Sequence, residues 1–179
     1  MQESVNATAA VSASQQMRNA VREHLDAPHF HYAFECRGAD GELKWTEDFE
    51  NTVVTGGADD LLDKYFAGSA YTAAWYLGLK GTGTAAATDT LASHGTWVEV
   101  NPYTGNRPAL SFASASARSK VATAVSYSIT LAGPTTVAGA FTSSVNTGTA
   151  GILYSAGDFA TSRSVVSGDT LNCTLTVSV

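Results

Sequence analysis

The chain has 179 residues and a formal net charge of −6, with charged side chains making up 15% of it and hydrophobic ones 44%. That length suits one domain, or one domain with an arm, burying on the order of 70% of its unfolded surface, and the hydrophobic share lies above the disordered range. The acidic balance, with no basic run, lacks the electrostatic footprint of a nucleic-acid binder, so no direct nucleic-acid contact is expected.

The N-terminus has no basic region followed by an apolar run, so it does not read as a secretory signal, and no stretch approaches the ~20 apolar residues that cross a bilayer. Cytoplasmic synthesis without a membrane partner is the expectation. Cys36 and Cys173 are too few and too far apart for a disulfide framework and read as small core hydrophobes.

Residues 1–11 are small and polar and read as an arm that orders only against a partner. Ser12 with Gln15 then forms a capping-box pattern, Met17, Ala20, Val21, His24 and Leu25 follow helical spacing, and Pro28 stops the helix. The expected organisation is an N-terminal arm and helix over residues 1–27 and a single β-sandwich over residues 28–179.

Phe30, Tyr32 and Phe34 alternate with polar or small neighbours, residues 38–41 carry turn chemistry, and a returning strand runs to Val54, so residues 29–54 read as a hairpin. Leu61, Leu62, Tyr65 and Phe66 follow at helical spacing as the packing face of a short helix, with Asp59 and Asp60 expected in its first turn and Gly68 as its stop.

The stretch from Ala73 to Val100 looks central. Trp75, Leu77 and Leu79 share one face of a strand, residues 81–92 read as a surface crossing with a helical turn at 88–93, and Trp97, Val98 and Val100 start a second strand. Two tryptophans on neighbouring strands would dominate a shared core. The loop 101–108 is dense in turn residues, with Arg107 as its expected charged tip.

Val121, Val125, Tyr127, Ile129 and Leu131 alternate over eleven residues and predict one long strand. A strand begins at Val137, short strands are expected at 152–154 and 164–166, and Leu171, Cys173, Leu175 and Val177 predict a last strand paired into the sheet. Eight to ten short strands with little helix point to an all-β, antiparallel, jelly-roll-like sandwich.

His29, His31 and Glu35 fall on one strand face, where three ligands for a divalent ion could converge, and these residues resemble the first metal motif of cupins. The second cupin motif is missing around His94. A polar outer face on an aromatic hairpin is the alternative reading. There is no Gly-x-Ser-x-Gly elbow and no phosphate-cradling loop, so neither enzymatic activity nor a cofactor is expected.

Trp75-Tyr-Leu-Gly-Leu-Lys80-Gly-Thr-Gly83, Ala92-Ser-His94 with Trp97-Val-Glu-Val100, Arg107-Pro-Ala109, Val137-Ala-Gly-Ala-Phe141 and Gly168-Asp-Thr-Leu171 resemble a family of virion structural proteins from tailed bacteriophages. The likeness covers residues 43–179. It implies a jelly-roll-like capsid decoration or cement protein in the virion, touching the major capsid protein and neighbouring copies of itself, with a trimer over a local threefold as a natural arrangement. A tail or head-fibre component that binds the host surface is the alternative. Met17, Val21, Leu25 and Arg107 are the candidate partner contacts.

Overall fold

In the computed structural model, which describes residues 28–68 and 74–179, the aromatic alternation of the first hairpin becomes the floor of a sandwich. Strand β1 (His29–Arg37) buries Phe30, Tyr32, Phe34 and Cys36 and turns His29, His31, Ala33 and Glu35 outward. It pairs antiparallel with β2 (Leu43–Glu50) on one side and β10 (Thr170–Ser178) on the other.

Two further strands, β6 (Ser119–Val121) and β7 (Val125–Ser128), both pair with β10 and complete the first sheet. The second sheet has the order β3-β9-β8-β4-β5, formed by Thr52–Val53, Leu153–Val165, Thr135–Ser143, Tyr76–Lys80 and Glu99–Val100. All pairings in both sheets are antiparallel, and the chain is an all-β sandwich with jelly-roll-like layering.

The main core lies between the sheets. Phe30, Tyr32, Phe34, Leu171, Cys173 and Leu175 from the first face Leu77, Leu79, Val137, Ala140, Phe159 and Val165 from the second. Each large apolar side chain buried here stabilises the fold by about 1.5–3 kcal/mol. Polar tips inside it are bonded across the layers: Tyr127 donates to the Leu77 carbonyl at 2.9 Å, and Tyr32 meets Ser155 Oγ at 2.9 Å and accepts from Asn51 at 3.1 Å. Burial raises both phenols well above their usual pKa, as it does the Cys173 thiol, and it pushes the Cys36 thiol up to about 11. Both cysteines are free and buried, as small hydrophobes would be.

Several sequence expectations change here. The returning strand does not run straight to Val54: its end leaves the first sheet and joins β9 as β3. The eleven-residue strand is two pieces, because the register on β10 slips by one between Val121 and Val125. That slip leaves Ala122 buried and Val121 outward, and Leu131 beyond the strand is exposed. The two short strands near the C-terminus are instead parts of β9. This strand carries extra residues where its pairing jumps from Asp158 to Arg163, and the irregularity turns Phe159 into the core. Arg163 reaches back from it to the buried Glu47 on β2 at 2.6 Å.

The short helix α1 spans Thr55–Phe66, with Gly68 following its C-cap Ala67 as the sequence suggests. It starts earlier than expected, so Asp59 and Asp60 fall in the second turn and no acidic residue sits in the first. The expected N-terminal arm and helix lie outside the described residues. No helix among the described residues is long and apolar enough to cross a membrane.

Candidate functional site

The outer face of the second sheet carries its own layer. Residues 81–98 cross it and close a second cluster in which Leu91 and Trp97 pack on Val54, Phe141, Leu153 and Ala156. Leu91 explains why this polar-looking crossing is not a loose surface loop. No helical turn forms at 88–93; the chain makes successive turns closed by a Thr90–Ser93 bridge. Asp89 accepts from Ala86 N–H at 2.9 Å and from the Trp97 indole at 2.8 Å.

Trp75 and Trp97 therefore do not share a core. Trp75 sits at the margin of the main one, stacked on Tyr154 with ring centroids 4.0 Å apart, whereas Trp97 lies on the opposite face of its sheet against His94 at 3.9 Å. Only Glu99 and Val100 of the second predicted strand pair with β4, and Val98 is exposed.

Two buried cations pin this layer. Lys80, with none of its surface exposed, places Nζ 2.5 Å from Asp158, donates to the Gly81 and Gly83 carbonyls, and lies 5.6 Å from the Trp97 ring centre. Arg107 donates through Nε and Nη2 to both oxygens of Glu99, at 2.7 Å each, through Nη1 to the Val145 carbonyl and through Nη2 again to the Gly148 carbonyl. Its guanidinium also covers the Phe141 ring at 5.2 Å. This corrects the reading of Arg107 as an exposed contact tip. A planar fork that satisfies one carboxylate and two carbonyls is a clamp, and its burial is offset because each guanidinium nitrogen has a partner.

The candidate metal ligands His29, His31 and Glu35 lie along the outward face of β1, as their spacing requires, but His31 and Glu35 are engaged locally. His31 pairs with Asp48 on β2, and Arg37 donates to both oxygens of Glu35, which holds that carboxyl below its usual pKa. Among the described residues no group of three or more His, Cys, Asp or Glu side chains is arranged to hold a metal ion.

The exposed apolar surface gathers at α1. The helix presses flush on β9 through Gly57, where a Cβ would stand 2.5 Å from the Tyr154 carbonyl oxygen. Its far half projects: Leu62 is 55%, Tyr65 82% and Phe66 78% exposed, and the two rings meet edge to face with centroids 5.0 Å apart. The face expected to pack on the sandwich is thus mostly turned outward. Leu61 alone leans inward, over a groove of about 580 Å³ shared with Phe30, Trp75, Leu110, Phe112 and Val177.

Sequence reasoning found the apolar residues of α1 but assigned them to the interior, because helical spacing does not say which side a partner occupies. The remaining contact candidates, Met17, Val21 and Leu25, lie outside the described residues. No protein-family model, curated protein or solved structure matches the chain.

Proposed function

We propose that this chain is a non-enzymatic structural protein of a tailed-bacteriophage virion, a capsid cement or decoration protein that lies on the shell and touches the major capsid protein and neighbouring copies of itself. The observation that carries the reading is the projecting half of α1, where Leu62, Tyr65 and Phe66 stand in the open on a sandwich whose loops are pinned by buried ion pairs. Adjacent exposed aromatics on a rigid support are the side chains that act as anchors when one protein seats on another. The likeness of residues 43–179 to virion structural proteins supplies the setting.

The test is the copy number in purified particles, by quantitative mass spectrometry with the major shell protein as internal standard. Copies comparable with the shell protein support a lattice component, and absence from the particle overturns the reading. Tyr65→Ser with Phe66→Ser should abolish incorporation while leaving the melting temperature of the free protein unchanged.

A head-fibre or tail component that binds the host surface is the second reading, favoured by a hydroxyl-rich hollow of about 280 Å³ lined by Tyr103, Thr104, Asn106, Ser126, Ser128 and Thr130. A few copies per particle, together with adsorption of the isolated protein to cells, would select it.

A further inference from the structure

We infer that two copies of this chain meet across a twofold axis, each laying the hairpin arm of residues 111–123 on helix α1 of the other, so that Arg118 and Lys120 face Asp59 and Asp63. Among the described residues every lysine and arginine sits in an ion pair except these two: Arg37, Lys44, Lys64, Lys80, Arg107 and Arg163 each hold an acidic partner. On a chain of net charge −6, the uncommitted cations therefore stand together, exposed, at one hairpin tip.

The arm is built to present them. Ser116 and Ser119 exchange backbone hydrogen bonds at 2.9 and 3.0 Å, and the residues between them, Ala117 and Arg118, have φ of 49° and 63°. This is the tight hairpin turn that asparagine and glycine usually fill, so alanine and arginine hold it at a cost. Below the tip the arm is anchored: Ala113 N–H donates to the Val121 carbonyl at 3.0 Å, and β6 pairs with β10. Val121, next to Lys120, is also exposed.

The complementary surface is on α1. Asp59 and Asp63 are exposed one turn apart with no basic partner, and Leu62 and Phe66 lie on the same side of the helix. Lys120 and Phe112 of the arm border the same groove as Leu61 of α1, so both patches are on one side of the molecule. Within one chain they form no ion pair. A twofold axis lying in that side, between the patches, sets each arm against the partner's helix, and one rotation makes the contact twice. Two acidic chains that repel at a distance then attract where they touch, while Val121 and the Lys120 stem cover Leu62 and Phe66 of the partner. The contact is small, so the dilute chain is monomeric. The inference rests on the reading that neighbouring copies touch, yet it is decided on the free protein: a chain that never associates in solution but is present in particles at shell-like copy number would overturn the inference and leave that reading standing.

The experiment is sedimentation velocity on the full chain, from low to high micromolar concentration. At about 50 mM salt a monomer should pass to a dimer, and about 500 mM salt should weaken the association at least about tenfold. One variant, Arg118→Asp with Lys120→Glu, and a second, Asp59→Lys with Asp63→Lys, should each stay monomeric, because each sets like charges against like. An equimolar mixture of the two variants should dimerise, since in the mixed pair both contacts again join opposite charges. All four positions are exposed, so both variants should keep the far-ultraviolet spectrum of the sandwich. A native chain that stays monomeric throughout, a dimer that survives in either variant, a variant mixture that stays monomeric, or native association that runs on to trimers or open chains would each overturn the inference.

Discussion

Removing either member of the Lys80–Asp158 pair should destabilise the protein unequally. Lys80 is fully buried with its ammonium 2.5 Å from Asp158, whereas the Asp158 side chain keeps 35% of its surface in solvent and also accepts from Ala85 N–H. Asp158→Ala leaves an ammonium in the interior with only two carbonyls to neutralise its field, the situation that costs about 3–5 kcal/mol when a buried pair is broken. Lys80→Met keeps the volume and leaves a carboxylate whose side chain is partly in solvent and whose Oδ2 still accepts from Ala85 N–H, although its Oδ1 is buried. Its main loss is the donor to the Gly81 and Gly83 carbonyls, at about 1 kcal/mol each. We therefore expect about 4 kcal/mol for the first variant, about 2–3 kcal/mol for the second, and a double variant milder than their sum by at least ~1.5 kcal/mol. Urea unfolding followed by tryptophan fluorescence measures all three. A coupling energy below ~0.5 kcal/mol, or a milder effect for Asp158→Ala than for Lys80→Met, would refute the reasoning.

The other expectations concern the clamp, the turn and the buried thiols. Arg107→Lys cannot reproduce the two-pronged contact with Glu99 and should cost about 2 kcal/mol, seen as a fall in Tm of about 4–8 °C; an unchanged melt would mean the clamp is not needed. Gly83 has φ +104, and a Cβ there would fall on the Thr96 carbonyl, so Gly83→Ala should lower stability by at least ~2 kcal/mol in calorimetry. Alkaline pH should weaken the fold. The Cys36 thiol is raised from 9.0 to about 11, so its contribution is complete below pH 9.0 and disappears as pH climbs through about 11. That shift corresponds to roughly 2–3 kcal/mol, and a urea midpoint that stays flat from about pH 8 to about pH 11 would contradict it.

Strand patterns were legible wherever one face meets the core and the other meets water. Phe30, Tyr32 and Phe34, and likewise Leu171, Cys173 and Leu175, alternate because each lies on a regular ladder with a single buried side. Reading failed where ladders slip. Val121 and Val125 keep a common phase in sequence, yet the extra residue between them reverses which side Val121 faces. The second sheet is covered by the first sheet on one side and by the 81–98 crossing on the other, so Ala140 and its neighbour Phe141 enter different clusters and no alternation survives.

The buried charges were the least visible. Lys80 and Arg107 look like surface residues in any linear reading, and their roles depend on Asp158 in one case and on Glu99, Val145 and Gly148 in the other. The exposure of Tyr65 and Phe66 was equally unreadable, since a helix with an apolar stripe has the same sequence whether that stripe meets its own sheet or a neighbour's.

The placement of β10 has a consequence for how the chain is made. Its partners are β1, β6 and β7, so the first sheet has no middle until residues 170–178 have been synthesised. Until then the hairpin of β1 and β2 waits with an open hydrogen-bonding edge and a row of aromatics uncovered, the condition in which nascent strands join the wrong partner. At ~5–20 residues per second that wait lasts on the order of ten seconds or more, long enough for a holding chaperone to matter to the yield of folded protein.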